Sequence, residues 1–408
     1  MKLYIDPGTG SMLFALLIGI IGAVTFVLKE WAVKLKFLLT GGKKAISETE
    51  EKIPIVIFSD DKRYWSVFKP ICEELDKRGV DIVYMTASED DPAFLEKLEH
   101  IDVQFIGSGN KAFSKLNFLN ATMLVSTTPG LDVFQWKRSK KVDYYVHIFH
   151  AASTATSYRM FGIDYYDAIL LSGQHQENDI RALEELRGLP KKELVMVGVP
   201  YMDALVNRLE SALPIEKEER TVLLAPSWGK SSILNKFGEK IIEALLDTGY
   251  HIIVRPHPQS FASETDLMNR LMSKFPESQQ LEWNRDNDNF DVLYRSDILI
   301  SDYSGVVYDY SLVYKKPVIY ANVEFDDGPY DAWWLDTPFW PIASLPKIGK
   351  QLTFDNISNI KELIDECIEA PEYLEGIEQL IDESWQHKGE GAVRVSDYII
   401  NKYEELTK

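Results

Sequence analysis

Three short stretches carry residue types that can handle a phosphate. Asp302-Tyr303-Ser304-Gly305 follows an apolar run and leads into the helical pattern VVYDYSLVY. Ser304 at that junction suits a helix N-cap, and Gly305 lets a ligand approach the backbone closely. The first N–H groups of the helix and its dipole then favour an anion. Arg255-Pro256-His257-Pro258 closes a second apolar run. Its prolines restrict φ and lack N–H donors, so the chain leaves stiffly and His257 has a constrained direction. An arginine and a histidine placed there can neutralise phosphate charge or protonate a leaving oxygen. The third stretch, DYYVHIFH, ends at His150 and continues into Ala151-Ala152-Ser153-Thr154. His150 at a strand end can serve as a general base, whereas His147, inside the strand and on the opposite face, packs. Each stretch also has a plainer reading: a serine-capped junction, a rigid loop with a solvated histidine, or a structural histidine.

Weaker signals accompany these. Ala225-Pro226-Ser227-Trp228 ends another apolar run and can line a nucleotide pocket or pack a core tryptophan. Residues 324–340, EFDDGPYDAWWLDTPFW, read as a folded hydrophobic flap or as a base-stacking or acceptor-binding loop. Asp286 and Asp288 in NRDNDNF read as a surface turn rather than a metal site, and no metal is expected. No G-x-x-x-x-G-K-[ST] or G-x-G-x-x-G stands after a strand, which weakens P-loop and dinucleotide-oxidoreductase readings.

The elements that must position these residues follow from the hydrophobic pattern. Continuous apolar runs at 53–59, 80–87, 103–107, 121–128, 143–150, 167–173 and 193–200 predict strands, with helical patterns over 64–78 and 92–99. A polar, strandless break at 208–220 follows, and the alternation restarts with strands at 221–228, 250–258, 296–302 and 317–321. Helices are predicted at 235–247, 262–274 and 305–314, with a helical tail from about 357. Strands without polar alternation, separated by helices, indicate parallel sheets covered on both faces. The expected fold class is α/β: two Rossmann-like domains facing across a cleft, over 45–212 and 219–385, with a C-terminal helical tail over 386–408. Ligands in such sheets sit beyond the C-terminal strand ends, where all three stretches fall.

Composition narrows the function further. The 408 residues carry 44 basic against 63 acidic side chains, a net −19, which disfavours a nucleic-acid partner because phosphate backbones need a basic footprint. Two cysteines, Cys72 and Cys367, exclude a disulfide scaffold. Residues 12–28, MLFALLIGIIGAVTFVL, hold no charge and are followed by Lys29, Lys34, Lys36, Lys43 and Lys44. At about 1.5 Å rise per residue the run approaches the short limit for spanning a bilayer. The expectation is a membrane anchor over 1–44 with a transmembrane helix at about 12–28. The lysine collar places the remainder on the cytoplasmic side.

HIFHAAS (147–153), RPHP (255–258) and SDYSGVVYDYSLVYKKPVIYA (301–321), in this order, together resemble the signature stretches of the bacterial CDP-glycerol glycerophosphotransferases of teichoic-acid and capsule synthesis. VLLAPSW (222–228) and GEGAVRVSDYI (389–399) resemble two more. Two departures are Phe149-His150-Ala151, where the family commonly has Trp-His-Gly, and Ser304-Gly305, where it often has a serine pair. The resemblance implies a GT-B-type fold, transfer without a metal or other cofactor, a CDP-linked polyol phosphate as donor and a lipid-linked or polymer acceptor at the membrane. It implies that His150 is the base, and that His257 and Arg255 stabilise the leaving phosphate. Ser301, Asp302, Ser304, Gly305 and Ser227 would surround the donor, Asp302 orienting a neighbour or hydrogen-bonding a sugar or polyol hydroxyl, with Gly391 and Arg394 helping to close the nucleotide site. A GT-B enzyme using a UDP-linked sugar, or a catalytically silent scaffold of a polymer-synthesis complex, are the alternatives.

Overall fold

The computed structural model describes residues 52–215, 219–286, 288–321 and 326–408. Seven strands form the first sheet: Ile53–Ser59 (β1), Ile82–Thr86 (β2), Ile101–Phe105 (β3), Asn120–Ser126 (β4), Lys141–Ile148 (β5), Ala168–Leu171 (β6) and Glu193–Met196 (β7). Their order is β3-β2-β1-β4-β5-β6-β7, and every pairing is parallel. A second sheet takes Thr221–Leu224 (β8), His251–Val254 (β9), Leu281–Trp283 (β10), Ile298–Ser301 (β11), Val318–Ala321 (β12) and Gly349–Leu352 (β13). It is also fully parallel, in the order β10-β9-β8-β11-β12-β13. In each sheet the order reverses at the first strand, between β1 and β4 and between β8 and β11. Those two points are where ligands of open parallel sheets bind.

The apolar runs explain both sheets. Along β1, Ile55 and Ile57 join the cluster of Trp65, Phe68, Ile71 and Leu75 on one face, while Val56 and Phe58 join Leu116, Trp136 and Tyr145 on the other. Burial on both faces is what a strand without polar alternation requires. β10 and β13 were not legible as strands. LEW and GKQL are short edge strands containing polar residues, so no apolar run marks them. The helix expected over 92–99 is only a 3-10 turn, Pro92–Leu95. The one expected over 235–247 is two, Ile233–Phe237 and Glu239–Leu246, divided at Gly238 with φ +58°.

One expectation is corrected. No helix among the described residues is long and apolar enough to cross a membrane. The stretch 12–28 lies outside the described residues. Among the described residues the fold is two parallel α/β halves, and none of their helices is the expected transmembrane one.

The halves are tied by three crossings. Ala152, Met202 and Leu205 of the first share a buried apolar cluster with Leu223, Leu299, Tyr308 and Trp385 of the second. The tail does not stand apart: helix Glu372–Ser384 passes so close that a Cβ on Gly173 would meet Glu383 O at 2.3 Å. Helix Gly391–Thr407 returns to the first sheet, where Val395 and Ile399 join the Trp65 cluster. The turn before that helix is held by buried Asp203, which accepts from Trp385 Nε1 and from the N–H groups of Gly389 and Gly391 at 2.8–3.1 Å.

The described part of the aromatic–acidic segment, 326–340, forms the third crossing. Asp331 is fully buried and accepts from Phe161 N at 2.8 Å and from Arg187 Nη2. Arg187 Nη1 donates to Asp164 at 2.7 Å, and its guanidinium lies against the rings of Phe161 and Trp334, 4.9 and 5.0 Å from their centroids. Trp340 stacks on His175 with centroids 4.2 Å apart. The segment is thus folded against the first half around a buried ion pair.

Removing Arg187 strands two buried carboxylates, so Arg187→Gln should lower the unfolding free energy by about 3–5 kcal/mol in urea titration. A loss below about 1 kcal/mol would show that this pair does not hold the segment.

Candidate active site

A cavity of about 440 Å³ lies at the N-terminal ends of β1–β3, lined by Ile53, Asp81, Glu99, His100 and Asp102. It sits at the wrong end of a parallel sheet, away from every strand-end residue above. The chemistry-bearing side chains gather at the opposite, C-terminal edges.

On the first-half wall, β1 ends into Asp60, Asp61, Arg63 and Tyr64, β4 into Thr127 and Thr128, and β5 two residues before His150. Thr127 Oγ1 lies 3.2 Å from His150 Nδ1, and the Tyr64 ring lies 5.2 Å from the His150 ring. The Thr128 hydroxyl donates to Asp60 at 2.8 Å. Burial raises the Asp60 carboxyl above its ordinary range, outweighing that hydrogen bond. Burial also pushes His150 down to about 4, and the Arg63 charge adds to the effect. His147 is fully buried inside β5, with Nε2 3.1 Å from the Tyr158 hydroxyl, so it packs as expected from its position.

On the second-half wall, β9 delivers Arg255 and His257. His257 caps the short helix Pro258–Ser263: its Nδ1 accepts the Gln259 N–H at 3.1 Å. That bond assigns the proton of the neutral ring to Nε2, which can donate to a ligand oxygen. Burial lowers His257 to about 4, again with a contribution from Arg63. Arg63 of one half therefore acts on a histidine of each wall. Trp228 is not a core residue: it is 43% exposed, with its ring 6.4 Å from that of His257.

The Asp302 carboxylate is 1% exposed and accepts from Ser227 N at 3.0 Å and Ile233 N at 3.0 Å. It holds the loop after β8 in place, with its oxygens turned to backbone N–H groups. Ser301 is likewise buried within β11 and donates its hydroxyl to Ala225 O at 2.6 Å. Both are placed as supports beneath the site. Ser227 is buried beside Asp302. Ser304 does not cap: the first helical residue is Val306, Gly305 occupies the cap position, and no side chain bonds there. After Val306–Tyr308 the helix widens into a π turn over Asp309–Val313. Gly305 is exposed, and a Cβ built on it would meet nothing within 4 Å, so the backbone there is open to a ligand.

Two other expectations shift. Arg255 donates Nη1 to Asn284 Oδ1 and Nη2 to Asp286 O at 2.7 Å, so its fork faces the loop after β10. Arg394 pairs with Glu390 at 2.7 Å on the surface of the C-terminal helix, near Gly391 but with no bond to the strand-end residues. Among the described residues no group of three His, Cys, Asp or Glu side chains is placed to hold a metal ion. Asp60, Arg63 and Tyr64 were missed because SDDKRY reads as an exposed turn. Applying the strand-end rule to β1 would have found them.

Comparison with known proteins places this geometry. The family model for CDP-glycerol:poly(glycerophosphate) glycerophosphotransferase matches residues 48–332, and the chain belongs to that family. The teichoic acid ribitol-phosphate polymerase TarL of Staphylococcus aureus is 29% identical over 171 residues, covering 37% of this chain and 28% of that one. The teichoic acid glycerol-phosphate primase of Bacillus spizizenii is 25% identical over 173 residues, covering 40% of this chain and 41% of its own length. The matched region is thus less than half the length of either relative. The wall teichoic acid polymerase TagF has the same fold, with a TM-score of 0.56 at 17% identity, covering 87% of this chain and 90% of that one. So does a Methanocaldococcus jannaschii UDP-GlcNAc 2-epimerase solved with UDP-GlcNAc and UDP, at 0.55 and 13%, covering 85% and 99%. Fold alone does not separate the two; the family match sets this chain with the glycerophosphotransferase family.

Both site histidines have folded pKa values below the ordinary 6.5. In the unfolded chain they bind protons first, so the stability each contributes is present above about 6.5 and is lost as pH falls towards about 4. In ring-labelled protein, NMR titration should find His150 and His257 neutral at pH 6, with midpoints near 4. Midpoints at the ordinary value would show that these rings are solvated.

Proposed function

We propose that this glycerophosphotransferase-family chain transfers a polyol phosphate, glycerol phosphate first among the candidates, from a CDP-linked donor to a hydroxyl of a lipid-linked, teichoic-acid-type acceptor. The observation that carries the reading is a half-buried histidine at a C-terminal strand end on each wall, His150 after β5 and His257 after β9, with the open backbone of Gly305 at the end of β11. Phosphoryl transfer asks a protein mainly for positioning and charge stabilisation, and this arrangement supplies both.

The acceptor oxygen attacks the polyol-bearing β-phosphorus. Its O–P bond forms as the bond from that phosphorus to the bridging oxygen breaks, and CMP departs. The hydroxyl proton passes to His150 Nε2, unprotonated when Nδ1–H donates to Thr127 Oγ1. His257, whose Nδ1 is engaged by Gln259, donates from Nε2 to the departing phosphate oxygen. The open backbone at Ser304–Gly305 receives the diphosphate, and Asp302 holds the loop that carries Ser227 and Trp228 beside it. Trp228, exposed next to His257, offers a face to the base.

CMP release from CDP-glycerol by the full chain, measured with and without membrane lipid extract, tests this. Release should depend on the acceptor and fall about 100-fold or more in His257→Gln, the usual scale for losing one preorganised donor. Thermal stabilisation by UDP but not by CDP or CMP would instead support the UDP-sugar reading, which the likeness to the epimerase keeps in view.

A further inference from the structure

The expected phosphate-binding arginine, Arg255, directs its guanidinium at Asn284 and the Asp286 carbonyl. The two histidines are neutral and bring hydrogen bonds but no net charge. A diphosphate between the walls still needs a permanent cation, because a doubly charged group is expensive to desolvate without one.

We propose that Arg63 is that cation: a phosphate-binding residue of the first half, presenting its Nη1/Nη2 edge to the ligand from the end of β1. It stands at the point where the strand order reverses, which is the ligand end of the first sheet. Asp61, which also caps the turn Lys62–Tyr64, accepts from Arg63 Nε at 2.9 Å and Nη2 at 3.3 Å. That grip takes the Nε/Nη2 edge of the guanidinium and fixes its plane, leaving the adjoining Nη1/Nη2 edge, through Nη1 and the second Nη2 proton, for a second partner. The guanidinium carbon sits 6.0 Å from the Tyr64 ring centroid, and Tyr64 in turn lies 5.2 Å from His150. Arg63 is thereby coupled to the histidine of its own wall, and its charge reaches the histidine of the other.

The plainer alternative is a surface ion pair. Arg63 and Asp61 are 39% and 38% exposed, and such pairs contribute little to stability. That alternative predicts no effect on any ligand. The ligand's identity as a CDP-linked donor rests on the proposed transfer reaction; the phosphate site itself does not.

The test uses the full chain with Arg63→Gln, Arg63→Lys and Arg255→Gln. Calorimetric titration with inorganic pyrophosphate, CDP and cytidine is read beside the thermal midpoint. Arg63→Gln should weaken pyrophosphate and CDP by about 10- to 100-fold, the scale of a charge-assisted hydrogen bond, and leave cytidine and the midpoint unchanged. Arg63→Lys should recover part of the loss, and Arg255→Gln should lose less than Arg63→Gln. Wild-type pyrophosphate affinity in Arg63→Gln, or no pyrophosphate binding by the wild type, overturns the assignment. If binding depends on Arg63 but CDP-glycerol yields no CMP, the transfer reading fails and the phosphate site stands.

Discussion

The buried Arg187 guanidinium, shared by Asp164 of the first half and Asp331 of the second, is the interaction on which the site's geometry depends. Neither carboxylate could remain in an apolar interface without it, because an unpaired buried charge is far costlier than a paired one. It holds a segment of the second half on the first, and the Gly173 crossing and the Asp203 clasp add further ties. Strand ends that belong to different sheets can act on one another only because these ties fix the halves.

Electrostatics follows from that closeness. Partial burial of His150 and His257 disfavours their protonated forms, and the Arg63 charge adds to the effect. An enzyme that moves a phosphate gains from this, since a neutral imidazole can accept or donate a proton without competing for the anion. The positive charge is then concentrated in guanidinium, which stays protonated under all working conditions. The surrounding chain, at −19, repels stray polyanions and leaves selectivity to the cleft.

Several residues act at one remove. Asp302 follows a strand and precedes a helix, and its oxygens are occupied by backbone N–H groups of the neighbouring loop, which it orients. Ser301 binds the neighbouring strand's carbonyl for the same reason: a buried hydroxyl must find a partner. Around them, the backbone at Gly305 and one face of Trp228 are the parts that stay open.

The sequence by itself determined the parallel α/β architecture, because two-faced apolar runs such as IPIVIFS and VLLA have no stable place except inside covered sheets. It also determined which strand ends carry His150, His257 and the Ser304–Gly305 junction, since those residues sit within a few positions of such runs. It missed β10 and β13, whose edge positions tolerate polar residues. Tertiary structure alone decided how the strand ends are used. Whether Arg255 turns to a ligand or to Asn284, and whether Arg63 belongs to a surface turn or to both histidines, depends on neighbours from distant strands. The Arg63 charge acts on histidines of both halves only when the two sheets face one another, and no local pattern encodes that.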